Sequence, residues 1–246
     1  MSARIDRNEL VRAAARNNAR WCDVVCRSHG IVGVFDAAIW SSSRRTPPLY
    51  PDAVTVSPEA TAHDILARID YSAPGASIKD SFACLDLSAA GFHVLFEAQW
   101  IYRSADRPAP AATQQPWRPV EDKAELSNWT AAWSRNEQLS GLFQPELLVT
   151  ESVSVLGSWR GDRLVAGAVV HRSESVIGVS NLFYSGIAAE DAWAECVSTV
   201  ARLWPGRSVV GYERGEDLTA AVSHGFEPVG VVRVWIASAQ TDADGR

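Results

Sequence analysis

A repeat constrains this chain more than any other feature. Residues 77–101 read SIKDSFACLDLSAAGFHVLFEAQWI, and residues 208–236 read SVVGYERGEDLTAAVSHGFEPVGVVRVWI. Both start at a serine and a β-branched residue and pass through a strand-like run. Both then meet Asp-Leu, Ser or Thr, Ala-Ala and Gly-Phe, and close on a strand ending in Trp-Ile. The matched positions are Ser77 with Ser208, Asp86-Leu87 with Asp217-Leu218, Gly91-Phe92 with Gly225-Phe226, and Trp100-Ile101 with Trp235-Ile236. Upstream, GVFDAAIW and SVSVLGSW each end in tryptophan. Self-similarity at a fixed offset signals repeated structural units, so the chain is predicted to contain two related halves. The first half has fewer residues between its upstream Trp40 and Gly-Phe, which predicts that it has lost a strand.

The punctuation of the chain divides it into residues 1–103, a linker over 104–116 rich in Ala, Pro and Gln, and residues 117–238. In the first part a helix is expected from Asp6 to Ser28, stopped by Gly30. A strand IVGVFDAAIW, a Pro-containing loop and a strand AVTVS follow. Next come a helix from Pro58 to Ile69 capped by Ser57, a strand SIKDSFA, a short helix LDLSAA and a strand HVLFEAQWIYR. In the second part WRPV is a short strand and EDKAELSNWTAAWSRN a helix. Three strands follow, SVSVLGSW, RLVAGAVVHR and SVIGVSNLF, with Gly161-Asp162 turning between the first two. A helix ending at Pro205-Gly206, a strand SVVGYE, a helix GEDLTAAVSH and a strand FEPVGVVRVWI complete it. The class expected is α/β, with a mixed sheet of the α+β kind.

Charge and cysteine usage narrow the function. The 246 residues carry a net charge of −6, which argues against a general nucleic-acid binder. The first 21 residues, MSARIDRNELVRAAARNNARW, are charged and helical and lack the apolar core of a secretory signal. No run approaches the ~18 apolar residues of a membrane span. Cytoplasmic residence is the expectation, and the four cysteines are expected to be reduced. Cys22, Cys26 and His29 share one helix face. Lining the buried face of the helix explains them more simply than a metal, so no metal is expected.

At GEDLTAAVSHGFEPVG the chain resembles the GCN5-related N-acetyltransferases (GNAT). A short helix, then Gly-Phe, then a glycine-containing strand is how those domains usually end. The β-α-β-β-β-α-β-α-β order from Trp117 to Ile236 looks like that fold too. The resemblance implies a tandem GNAT-like architecture with a truncated first half. It also implies acyl transfer from acetyl-CoA or another acyl-CoA to an amine of a small molecule. In that family two parallel strands splay, and the pantetheine arm pairs with the freed backbone. Here that implies Asn181, Leu182 and Phe183, with the pyrophosphate at Ser185, Gly186, Ile187 and Ala188 before a helix N-terminus. The loop departs from the family's Gln/Arg-x-x-Gly-x-Gly/Ala: it reads FYSGIAAEDAW, with one glycine and no basic residue. The tyrosine often found four residues before Gly-Phe is replaced by Ala221.

Amine acylation needs a base for the ammonium proton and an acid for the leaving thiolate. Glu213 and Tyr212 close the fifth strand of the second half beside the expected splay, as base and acid; an ordinary strand-end pair is the plain alternative. His171, at the end of a strand, is a third candidate because imidazole titrates near neutrality. Asp80, at the matching position of the first half, is a candidate for binding a cationic substrate group, and Trp159 for a pocket wall. Two alternatives stay open on the residues: a carrier-protein or aminoacyl-tRNA donor, and a ligand-binding or interaction module without catalysis. The acceptor and the oligomeric state are not encoded in any motif.

Overall fold

The computed structural model describes residues 6–110 and 117–238; the linker predicted over 104–116 lies partly outside them. The first long element is helix α1 (Arg7–Ser28), begun by the Asp6 carboxylate, which accepts the Asn8 N–H at 3.1 Å. Val11, Ala14, Ala15, Ala19, Cys22, Val25 and Cys26 recur at helical spacing and are buried. Strands β1 (Val34–Phe35), β2 (Ile39–Ser41) and β3 (Ala53–Thr55) follow, then helix α2 (Ala62–Leu66), strand β4 (Ser77–Asp80) and strand β5 (Phe92–Arg103). The later residues form β6 (Arg118–Pro119), α3 (Lys123–Trp133), β7 (Val153–Arg160), β8 (Arg163–Arg172), β9 (Val176–Tyr184), α4 (Ala189–Leu203), β10 (Ser208–Glu213), α5 (Gly215–Ser223) and β11 (Glu227–Ala237). The predicted mixed α/β class is the one observed.

Two local expectations are corrected. The run 31–40 is a hairpin, not one strand. The Asp36 carboxylate accepts the N–H groups of Ala38 and Ile39, both at 2.7 Å, and turns the chain between β1 and β2. Helix α2 begins not at Pro58 but after Thr61, whose hydroxyl accepts the Asp64 N–H at 3.2 Å.

Among the described residues eleven strands form one sheet, ordered β1-β2-β3-β4-β11-β5-β10-β9-β8-β7-β6. Strands early and late in sequence are interleaved at its centre. β5 lies between β10 and β11, and β11 lies between β5 and β4, all antiparallel. The β5–β11 ladder is symmetric about Ala98 and Val232. An offset of 134 residues, that of Phe92 from Phe226, carries Glu227↔Tyr102 onto Ile236↔His93 and Gly230↔Trp100 onto Val234↔Phe96. It also carries the register shift that skips Val229 onto the one that skips Leu95. The Gly-Phe match of the sequence thus agrees with the ladder. The Trp-Ile match is one residue out of step: Trp100 corresponds to Val234, and Ile101 to Trp235. A single step matters because successive strand side chains face opposite sides of the sheet.

Each face of the sheet is covered by helices. On one face Val155 and Val169 pack under α1 and α3; on the other their neighbours Leu156, Ala168 and Val170 pack under α4 and α5. α1 comes very close to the sheet at β9. A Cβ at Gly178 would sit 1.9 Å from Asn17 Oδ1. Asn17 in turn donates through Nδ2 to His171 O and Ser173 Oγ, each at 3.1 Å. That contact fixes where the C-terminal half of α1 lies over the opening described next.

Candidate functional site

Strands β9 and β10 run parallel but pair only from Ser208↔Val176 to Val210↔Gly178. Beyond this point β9 carries a bulge. Val169↔Ser180 and Gly167↔Phe183 leave three steps on β9 opposite two on β8, and Asn181 takes φ 54°. Asparagine tolerates this left-handed conformation better than most residues. The bulge and the end of pairing open the sheet into a cavity of about 210 Å³. Val179, Ser180, Asn181 and Leu182 form one wall, and Tyr212 and Glu213 the other. Asn18, Trp21 and Cys22 from α1 lie over it, with Lys79 from β4, Trp133 from α3, and Leu49, Tyr50 and Pro51 from the loop before β3.

The walls carry an acid and a cation. Glu213 is half-buried. Desolvation, helped by the nearby Asp217 carboxylate, pushes its pKa up to about 8. Lys79 is buried, and its Nζ donates to Asn18 Oδ1 at 2.7 Å and to Tyr212 Oη at 3.3 Å. Burial lowers the ammonium's pKa, and Tyr212, whose oxygen accepts its hydrogen bond, raises it; the net direction is upward. Because Lys79 donates to the Tyr212 oxygen, the phenol O–H is left to donate elsewhere. Cys22 is buried, and burial raises its thiol pKa, so it stays an uncharged part of the wall.

The outer end of β9 leads into α4. Ala188 precedes the helix without any side-chain cap, so the first-turn amides have no partner from it. Gly186, at φ 77°, bends the chain into that helix. The turn directly after β9, residues 185–188, holds no basic residue, yet the structure brings one there: Arg163, opening β8 across the hairpin, donates from Nη2 to Ser185 Oγ at 3.3 Å. Glu190 and Asp191 occupy the first turn of α4.

Of the residues singled out from sequence, Tyr212, Glu213, Asn181 and Leu182 meet at the cavity. Ser185, Gly186, Ile187 and Ala188 form the turn beyond it. Phe183 instead packs edge-on against Trp129, with ring centroids 5.1 Å apart. His171 does not line the cavity. It is buried against Trp21, its Nδ1 has no partner among the described residues, and desolvation followed by Arg20 lowers its pKa to about 4. Asp80 is fully buried, and its carboxylate accepts the Leu85 N–H at 2.9 Å and the Phe82 N–H at 3.4 Å. It shapes the turn after β4 while its neighbour Lys79 faces the cavity. Trp159 lies under the Arg118 guanidinium, 3.9 Å from its ring centre, away from the cavity. Sequence reading missed Asn18, Tyr50 and Arg163, which no local pattern marks because each reaches the site from another element. The charged run Lys79-Asp80-Ser81 on a buried strand does stand out, but it is Lys79 and not Asp80 that lines the cavity. His29 donates from Nε2 to Leu142 O at 2.8 Å instead of sharing a site with Cys22 and Cys26.

No protein family and no curated protein matches the chain by sequence. Solved structures do match in shape. A GCN5-related N-acetyltransferase from Kribbella flavida superposes with a TM-score of 0.59 at 15% identity, covering 94% of this chain and 98% of that one. A GCN5-related N-acetyltransferase-like protein from Streptococcus suis 89/1591 gives 0.51 at 12% identity, covering 93% and 98%. A GCN5-related N-acetyltransferase from Sphaerobacter thermophilus gives 0.50 at 12%, covering 82% and 76%. Identities this low speak to architecture alone, and by architecture the chain has the GNAT fold.

Proposed function

We propose that the chain is an N-acyltransferase that moves an acyl group from a CoA-type thioester to the amine of a small molecule. One observation carries this: Glu213, with a pKa near 8, stands across an opened parallel strand pair from free β9 backbone. The first half is read as a degenerate copy of the second, with the site belonging to the second. An extended pantetheine-like arm would pair with the β9 backbone at Asn181 and Leu182. Its phosphates would meet the first amides of α4 and Arg163, against some repulsion from Glu190 and Asp191.

In the reaction Glu213 takes the proton of the acceptor ammonium, directly or through one water. The free amine forms a C–N bond with the thioester carbonyl carbon, and the C–S bond breaks. Tyr212 gives its hydroxyl proton to the leaving thiolate and is reprotonated by the acylated nitrogen, which sheds its second proton to become the neutral amide. General-base assistance of this kind contributes about 10² to 10⁴ in rate. The test pairs binding with turnover. Acetyl-CoA and longer acyl-CoAs at ~100 times Kd should stabilise the fold by roughly 2.7 kcal/mol, and an amine panel should then yield acylated product with release of free thiol. If no acyl-CoA stabilises the protein, the donor assignment is wrong.

A further inference from the structure

The reaction proposed above leaves one charge in the cavity without a task. Lys79 is 6% exposed. Its two hydrogen bonds go to neutral groups, the Asn18 amide oxygen and the Tyr212 hydroxyl. Among the described residues no carboxylate pairs with it. An ammonium has three N–H donors, and a buried cation with no counter-ion is costly to keep. A chain that needed only packing here could use methionine.

A second observation is independent of the lysine. The Tyr50 side chain lines the same cavity, is 7% exposed, and has no partner for its hydroxyl among the described residues. Burial drives its pKa well above the ordinary phenol value, so it remains an O–H donor. The loop that presents it is anchored. Thr46 Oγ1 donates to Tyr50 O at 2.6 Å, and the Asp52 carboxylate accepts the N–H groups of Thr46 and Ser77, both at 3.0 Å. Asp52 thereby ties the loop to the start of β4, the strand that carries Lys79. Two donors thus belong to residues from separate segments that line one cavity, each residue more than nine-tenths buried and each donor short of an acceptor.

We propose that Lys79 and Tyr50 form a subsite for the carboxylate of the acceptor, and that the acceptor is a small amino acid whose amine is presented to Glu213. The carboxylate subsite stands on Lys79 and Tyr50; the direction of the amine rests on the acyltransfer reading. Charge balance favours a zwitterion. Its carboxylate neutralises Lys79 while its ammonium faces Glu213 and draws that group into its ionised form. A phosphate dianion would leave excess negative charge beside Glu213, and a plain amine would leave Lys79 without a counter-ion. Size agrees, since about 210 Å³ falls below the ~300–1,000 Å³ of sites for larger ligands. Trp21, Trp133 and Val179 make the remaining wall apolar, which suits an uncharged side chain.

The experiment compares L- and D-amino acids with the matched amines that lack the carboxylate, on the full chain. Thermal shift and isothermal titration are read first, then acyl transfer with acetyl-CoA. In the wild type at least one amino acid should bind about 10- to 100-fold more tightly than its matched amine, the range set by a charge-assisted contact. Lys79→Met should bring that ratio close to one, and Tyr50→Phe should reduce it severalfold. If Lys79→Met does not fold, Tyr50→Phe and Asn18→Leu carry the test through the same ratio. Amines that bind or react as well as amino acids, or a ratio unmoved by these variants, would overturn the subsite and leave acyl transfer standing. Amino acids that bind through Lys79 but are never acylated would support the subsite and overturn the proposed reaction.

Discussion

Glu213→Gln keeps the side-chain shape and removes the carboxyl group on the β10 wall whose pKa is pushed up to about 8. With a pKa near 8, only about a tenth of Glu213 is ionised at pH 7 in the free protein. If the carboxylate is the base, kcat/KM for an acceptor that stays an ammonium across the range rises about tenfold per pH unit below pH 7 and flattens above pH 8. The glutamine variant should be slower by about 10² to 10⁴ at pH 8 and lose that limb, with its affinity for the acyl donor unchanged. Stability should move the opposite way. Folded Glu213 keeps its proton up to about pH 8, whereas an unfolded glutamate loses it near the ordinary value of 4.5. Between those values the folded state binds more protons, so the wild type loses stability as pH rises through the window. The variant lacks that loss and should melt higher than the wild type at pH 8.5 relative to pH 5. The assays are a pH–rate profile and denaturant titrations at both pH values. A limb with its midpoint near 4.5, or near-wild-type turnover by the variant, would refute the assignment.

Arg163→Ala should raise the KM for acyl-CoA about 3- to 10-fold at low salt and less at high salt, with kcat unchanged, because an exposed guanidinium contributes through screened attraction to phosphate; steady-state kinetics at two ionic strengths checks this. His171 has its pKa lowered to about 4 from the ordinary imidazole value of 6.5, so the stability it contributes is complete above pH 6.5 and lost on acidification toward pH 4. Urea titrations should show the wild type losing up to about 3 kcal/mol across that window and His171→Phe losing much less. Residues 117–238 expressed alone should not reach a native fold, because β10 and β11 flank β5 and do not pair with each other. Circular dichroism and amide-exchange spectra read this outcome, and a native-like spectrum from that segment would contradict it.

Much of this architecture was open to sequence reading, for a physical reason. Helix α1 and the elements from β7 to β11 have strong periodicity and clear caps or turns, so local rules suffice for them. The hairpin at Asp36 escaped, because a single Asx turn inside an apolar run leaves the apolar pattern intact. Helix α2 was placed too early because Pro58 looks like a first helical residue, whereas the Thr61 hydroxyl is what caps it. At the site, Tyr212 and Glu213 could be placed because they end an apolar strand. Asn18, Tyr50 and Lys79 could not, since only the sheet order brings α1, the loop before β3 and β4 to the same opening. Arg163 reaches its loop across a hairpin, twenty-two positions before Ser185.

The ladder symmetry sets the opened β9–β10 pair beside a closed counterpart, β3–β4, among the described residues. Carried through the β5–β11 pairs, the partners of β10 and β4 correspond. Tyr212 pairs with Trp100 and Lys79 with Val234, and Trp100 and Val234 are equivalent positions. Glu213 corresponds to Asp80 by the same rule. The two strand pairs then behave differently. β9 and β10 stop pairing at Val210, before Tyr212, and a cavity begins there. β3 and β4 still pair at Val54↔Lys79, and the Ser81 N–H continues the closure by donating to Thr55 Oγ1 at 2.8 Å. No bulge frees β3, so Asp80 turns its carboxylate to the following backbone while Glu213 keeps its own at the cavity wall. Lys79, whose own strand pair is closed, reaches toward its counterpart Tyr212 instead. The central strand exchange makes that contact available: with β5 and β11 between them, β4 and β10 present equivalent positions to the same helix, α1. Asn18 on that helix accepts from Lys79 above the shared opening. The closed strand pair thus supplies the cation of a site whose carboxyl group and freed backbone belong to the open pair.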